Sequence, residues 1–291
     1  MNTTLIGDCR TLLSSLPDAS VQCCVTSPPY FGLRDYGVKG QCGLEPTPDA
    51  FVANLVEVFR EVRRVLKSDG TCWVNIGDSY AGSWGNQGRK ETRGTQRPIN
   101  GAMMQKVNDG RYPTTGTRTG VIRAEGVKPK DLYGIPWMLA FALRADGWYL
   151  RQDIIWSKPN PMPESIADRC TKSHEYVFLL SKSLRYYYDA DAVKEPPSAA
   201  PRTESLPGRN RRSVWTVNTK PFKGAHFATF PPKLIEPCIL AGTKAGDTVL
   251  DPFGGSGTTA IVANWHGRDS ILIELNPAYV PLIEQWLRTR A

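Results

Sequence analysis

"TVLDPFGGSGTTAIVANWHGRDSILIEL", residues 248–275, contains a short apolar run ending in an acid, a glycine loop, a helical stretch and a second apolar run. Asp251 closes the first run, Gly254, Gly255 and Gly257 fill the loop, Thr258 opens the helix, and Glu274 closes the second run. This is a strand–helix–strand unit, whose two strands are expected to lie parallel. Outward from it, "PPKLIEPCILAGT" (231–243) reads as the helix before, and "PAYVPLIEQWLRTR" (277–290) as the helix after.

The N-terminal half repeats this alternation. "TTLIGD" (3–8) reads as a strand, "CRTLLSSL" (9–16) as a helix and "SVQCCVT" (20–26) as a strand stopped by Pro28. "DAFVANLVEVFREVRRVLKSDG" (49–70) places Phe51, Leu55, Val58, Val62 and Val65 on one face, with Asp49 as N-cap and Asp69-Gly70 as its stop. The strand "TCWVNIGD" (71–78) follows. Within residues 131–158 a helix precedes a strand ending at Lys158, and "HEYVFLLSKS" (174–183) and "RYYYD" (185–189) read as further strands. The alternation predicts an α/β domain over residues 1–291 with a mostly parallel sheet covered on both faces, and ligands at the carboxyl ends of its strands.

Charge singles out what does not fit this rhythm. The chain holds 36 Lys+Arg against 28 Asp+Glu, a net charge of +8. Residues 82–130 carry ten basic against three acidic residues, and residues 201–223 six against one, so the two segments hold more than the whole excess. The first lacks hydrophobic periodicity and reads as a mobile insert; the second falls in a region, 160–225, expected to recognise a target. Basicity confined to inserts points to a polyanionic partner.

Seven cysteines without a C-x-x-C pair, and an N-terminus without a signal pattern, predict reduced thiols in a cytoplasmic protein, each packed as a small buried hydrophobe. No run reaches the roughly 20 apolar residues of a membrane span. No metal-ligand spacing is present.

Two strand ends carry unusual chemistry. The glycine loop lacks the G-x-G-x-x-G of dinucleotide sites and the lysine of a P-loop. Acids at both adjacent strand ends suit a nucleoside with a cationic tail, such as S-adenosylmethionine, with Glu274 placed for ribose hydroxyls; the alternative is a tight turn with helix-capping acids. "TSPPY" (26–30) is the second. Its prolines donate no N–H, so the Ser27 hydroxyl and nearby carbonyls form an acceptor cluster beside an aromatic ring. Such a cluster fits the exocyclic amino group of a nucleobase; the alternative is a proline-stopped strand with a core tyrosine.

Together these motifs resemble the amino methyltransferases of DNA, in the motif order of the permuted beta class. "LIGDCRTLLSSLPDASVQCCVTSPPY", "IIWSKPNPMPES", "HEYVFLLSK", "HFATFPPKLIEPCI" and "IELNPAY" also look like family segments. The resemblance implies a Rossmann-like, seven-stranded methyltransferase sheet using S-adenosylmethionine. Ser27, Pro28 and Pro29 would bind the target amine, and Tyr30 would stack on the flipped base. Asp8 and Cys9 would lie near the cofactor adenine, Glu274 on its ribose, Asp251, Phe253, Gly255 and Gly257 in its loop, and His226, Thr229 and Lys233 near its methionine end. Arg34, Lys158, Arg209, Arg211 and Arg212 would contact DNA.

The reaction implied is in-line attack of the amine on the sulfonium methyl after base flipping, with no tuned general base, in keeping with a site expected to lack any His or carboxylate next to "SPPY". Double-stranded DNA is the expected partner, and a homodimer is compatible with the class. Adenine N6 and cytosine N4 both stay open, as do the recognition sequence and a cognate restriction enzyme. Competing readings are an amino methyltransferase of RNA or of a protein glutamine, and a DNA-binding relative without catalysis.

Overall fold

The computed structural model describes residues 2–33, 36–81, 127–196, 208–219 and 230–288. Eight strands form one sheet: β1 Asn2–Ile6, β2 Val21–Thr26, β3 Leu66–Ile76, β4 Tyr149–Ser157, β5 His174–Ser181, β6 Val214–Thr216, β7 Thr248–Asp251 and β8 Asp269–Glu274. Their order is β1-β8-β7-β2-β3-β5-β4-β6. Only β5 runs against the others. The carboxyl ends of the remaining strands therefore share one edge of the sheet, which Asp8, Ser27, Asp78, Lys158, Asp251 and Glu274 all reach. β5 brings its amino end, with Glu175, to the same edge.

Alternation along β2 shows why the sheet is buried on both sides. Cys24 packs with Phe51, Leu55, Val58 and Phe59 of α2 (Pro48–Val65) and Leu139 and Leu143 of α3 (Ile135–Ala145). Its neighbours Cys23 and Val25 face Leu234, Ile235 and Ile239 of α4 (Pro232–Gly242) and Val262 and Ala263 of α5 (Thr258–Trp265). At the β1 end of the sheet, α6 (Val280–Arg288) inserts Ile283 against Ala260 and Leu272. Among the described residues no helix is long and apolar enough to cross a membrane. Six cysteines are buried as expected, whereas Cys170 is exposed.

Three sequence expectations are corrected. The cap of α2 is Thr47, not Asp49: its hydroxyl accepts from Ala50 N at 3.1 Å, and Pro48 takes the first helical position. The same helix ends at Val65, before Asp69-Gly70, because Lys182 Nζ donates to the carbonyls of Arg64 (3.3 Å) and Leu66 (2.6 Å) and the chain turns extended there into β3. "RYYYD" is not a strand. Tyr187 N donates to Asp69 O at 2.9 Å and the Tyr188 ring stacks on Trp73 at 6.4 Å, so its aromatic pattern reflects packing rather than a ladder.

Seven strands were expected, and the described residues form eight. The unforeseen β6 has three residues inside the stretch read as a basic insert, and pairs parallel with Ile155–Ser157 of β4. The first insert has a closed base, and a loop that overlaps the start of the second is closed between Glu195 and Arg209. Ala81 N donates to Asp131 O and Lys130 N to Ala81 O, both at 2.8 Å. Glu195 and Arg209 exchange backbone bonds of 2.9 and 2.8 Å. Residues 82–126 and 197–207 lie outside the described residues.

Candidate active site

The sheet edge opens into a solvent-accessible cleft where the loops after β1, β2, β7 and β8 meet. Gly7, Asp8 and Cys9 after β1, Ser27 to Tyr30 after β2, Asp251 to Ser256 after β7, and Glu274 to Asn276 after β8 line it, with Phe230 and Tyr279 at its sides. Thr26 and Asp251, the strand ends from which the two motifs spring, are 225 residues apart in sequence. The motifs are thus walls of a single cavity.

The glycine loop is held from beneath. Asp251 is 2 % exposed, and its carboxylate accepts from Thr26 Oγ1 (2.6 Å), Phe253 N (3.0 Å) and Thr259 Oγ1 (2.7 Å). Burial pushes its pKa up to about 6. These bonds tie the ends of β2 and β7 to the start of α5, so Asp251 shapes the loop that faces the cleft. Gly257 caps α5 with φ +81° and does not line the cleft; a Cβ there would lie 3.1 Å from Ile283.

Glu274 is the acid that faces the cavity. Its Oε2 accepts from Gly255 N and its Oε1 from Asn276 N, each at 2.7 Å, and burial pushes its pKa up to about 7. Each oxygen retains a lone pair for a ligand hydroxyl. Asp8, by contrast, is locked by Arg10, whose Nη2 lies 2.5 Å from Oδ2 and whose hydrogen bonds hold the carboxyl below its ordinary range. Arg10 Nη2 also donates to Gly40 O at 3.0 Å, which fixes the segment closing the cleft's rim.

The thiols in this cavity are inert. Burial pushes Cys9 up to about 12 and Cys42 up to about 11, so neither is a thiolate near neutral pH. The residues that line the cleft fit an adenosyl group with a cationic centre: a buried acid for ribose, an apolar wall of Cys9, Phe253 and Ile273, and glycine amides close to the ligand.

Opposite the glycine loop, Pro28 is buried and the Tyr30 ring stays partly exposed in the cleft. Its hydroxyl points away and donates to Glu175 Oε2 at 2.6 Å. Glu175 is completed by Asn75 Nδ2 at 3.2 Å and by Lys158 Nζ, with which it forms an ion pair. The expectation that no carboxylate stands beside "SPPY" is therefore overturned by topology: Glu175 is 145 residues away in sequence and the antiparallel β5 brings it alongside.

The DNA-contact residues expected from sequence stand as follows. Lys158 is committed to Glu175 and lies over the Trp156 ring at 4.2 Å. Arg209 and Arg212 pair with Glu195 at 3.3 and 3.0 Å, and Arg211 lies 4.7 Å over the Trp215 ring. Arg34 falls outside the described residues. Of the residues expected near the methionine end of the cofactor, Lys233 is exposed on the first turn of α4 and does not line the cleft, and His226 and Thr229 fall outside the described residues. Glu175, Asn75, Thr26 and Thr259 carried no assignment from sequence. "HEYVFLLSK" marked the segment holding Glu175, but no local spacing tied it to Tyr30.

Compared with known proteins, the sequence matches the DNA methylase family of the N6/N4 class over residues 21–285. This chain belongs to that family. It is 52% identical over 280 residues to the Type II methyltransferase M.Cfr9I of Citrobacter freundii, covering 96% of this chain and 85% of the relative. Among solved structures, TTHA0409 of Thermus thermophilus, complexed with S-adenosyl-L-methionine, is 25% identical with a TM-score of 0.62, covering 99% of this chain and 95% of the other. The cytosine-N4-specific PvuII DNA methyltransferase, at 22% identity, shares the fold with a TM-score of 0.68, covering 98% of this chain and 86% of the other. The chain is a DNA amino methyltransferase of the N6/N4 class with the fold of the S-adenosylmethionine-dependent enzymes.

Proposed function

We propose that this N6/N4 methyltransferase acts on the exocyclic amino nitrogen, adenine N6 or cytosine N4, of a base rotated out of duplex DNA into the cleft between Tyr30 and the glycine loop. The observation that carries the reading is the convergence of Ser27–Tyr30 and Glu274 on one cavity. Bound S-adenosylmethionine supplies an electrophilic methyl on a sulfonium.

The chain's own residues supply position. Glu274 accepts from the ribose hydroxyls, while Cys9 and Phe253 give the adenine an apolar seat. The Ser27 hydroxyl and the carbonyls around Pro28 and Pro29 accept the two amine protons, drawing the nitrogen toward a geometry with a free lone pair. Tyr30 stacks on the base and holds the nitrogen in line with the methyl. After transfer the aminium proton passes to solvent or a backbone oxygen. Glu175 does not take it, since it does not line the cleft and its carboxylate is bound by the Tyr30 hydroxyl and paired with Lys158. The basic inserts neutralise phosphates.

Labelled-methyl transfer to duplex DNA, RNA and protein in parallel tests this reading. Label confined to DNA, as N6-methyladenine or N4-methylcytosine, is expected. Label in 5-methylcytosine would overturn it, because that chemistry needs a nucleophilic thiolate and the cleft cysteines are protonated.

A further inference from the structure

Glu175 and the buried Asn75 form a largely shielded polar seat behind Tyr30 that takes no part in the methyl transfer itself. Glu175 is the second residue of β5, paired with Trp156 of β4 and next to Gly77 as the chain leaves β3. Its carboxylate gathers the Tyr30 hydroxyl (2.6 Å), Asn75 Nδ2 (3.2 Å) and the Lys158 ammonium, and Asn75 Nδ2 is fixed in turn by Tyr176 O at 3.0 Å. Gly77 completes the fit: a Cβ there would lie 2.7 Å from Tyr30 Cε2 and 3.3 Å from Glu175 Cδ. Three neighbouring strands thus contribute one residue or more to holding a single ring.

We infer that Glu175 is the positioning residue for Tyr30, acting with Lys158 as its counter-ion to fix the plane on which the flipped base stacks. This rests on the reading that Tyr30 stacks on the base. An aromatic ring on a proline-flanked loop has two side-chain torsions to lose, and a bond from its far end to a carboxylate removes that freedom before the base arrives. Donation to an anion also enriches the ring in electrons, and an electron-rich face favours the positive charge that develops on the amine during methyl transfer. Lys158 is needed because Glu175, only 15% exposed, would be costly as a lone anion. Lys158, expected from sequence to touch DNA, is assigned instead to this pair.

The test is a double-mutant cycle between Glu175→Gln and Tyr30→Phe, with kcat, cofactor KM and the fluorescence of 2-aminopurine at the target base as readouts. In Glu175→Gln, an NH2 group replaces one carboxylate oxygen, and with the amide oxygen held by Lys158 the Tyr30 hydroxyl loses its anionic acceptor. Each single change is expected to lower kcat 10- to 100-fold with cofactor KM within threefold, and the double change to lower it no further than either single. Additive losses would overturn the inference, because Glu175 would then act by a route other than Tyr30. So would unchanged kcat in Glu175→Gln while Tyr30→Ala is inactive. Near-normal turnover in Tyr30→Ala would instead overturn the stacking reading beneath it. The charge-balanced variant Glu175→Leu/Lys158→Met, which leaves neither an unpaired lysine nor an acceptor at position 175, controls for an orphaned lysine and a failure to fold: it is expected to stay slow, and recovery of normal turnover would reduce the pair to a structural ion pair and overturn the inference.

Discussion

Tyr30 and Glu274 line the same cleft from different strands' ends, and their substitutions separate chemistry from binding. Tyr30→Ala is expected to lower turnover more than 100-fold while cofactor affinity stays within threefold, measured by single-turnover kinetics beside calorimetry; equal loss of both would make the ring structural. Gly77→Ala tests the same ring from behind. Its new methyl meets Tyr30 Cε2 at 2.7 Å, so turnover should fall at least tenfold and the melting temperature should drop by a few degrees, at unchanged cofactor affinity.

Charge gives the residue scale its pH dependence. Asp251 and Glu274 are raised from 3.8 to about 6 and from 4.5 to about 7, both through burial. Raised carboxyls contribute stability that is fully present below their ordinary values and is lost as pH rises through the folded values. Free protein should therefore lose part of its thermal stability between about pH 4 and pH 7. Cofactor binding favours ionised Glu274, so the cofactor-induced rise in melting temperature should grow from pH 6 to pH 8. In Glu274→Gln that growth should flatten and affinity at pH 8 should fall about tenfold, the worth of one charge-assisted bond pair. A growth as steep as in the unmodified protein would remove Glu274 from the ribose.

Among elements, α2 shows both what was legible and what was not. Its buried face of Phe51, Leu55, Val58, Val62 and Val65 was readable from spacing alone. The cap was not, because Thr47 and Asp49 both satisfy the local rule and only the bond to Ala50 N decides between them. Thr47→Ala should cost about 1 kcal/mol in denaturant unfolding, and Asp49→Ala much less. The same limit governed β6 and "RYYYD". A three-residue edge strand carries no periodicity, and a run of tyrosines packs on tryptophan as readily as it pairs in a ladder. Asp251 and Glu274 could be placed at strand ends from sequence, since the glycine loop punctuates them. Glu175 could not, since its meeting with Tyr30 depends on β5 running antiparallel between β3 and β4.

The whole molecule places its chemistry on one edge of the sheet and its excess charge in inserts that leave the body at stitched positions. Because Ala81 pairs with Lys130 and Asp131, replacing residues 82–126 by a short Gly-Ser linker should preserve the fold and cofactor affinity. DNA affinity should fall at least tenfold, and the slope of log affinity against log salt should become shallower as phosphate contacts are lost. A slope unchanged by the replacement would move the phosphate contacts to the second basic segment. Arg209 and Arg212 already pair with Glu195 there, so their availability to DNA requires exchanging that partner.

The convergence of both motifs on one cavity is tested most directly by mass analysis of nucleosides from duplex DNA incubated with the protein and methyl-labelled S-adenosylmethionine. The expected product is a single labelled species, N4-methylcytosine or N6-methyladenine, absent with Tyr30→Ala. Label in RNA or protein, in 5-methylcytosine, or at undiminished level with Tyr30→Ala would contradict the account.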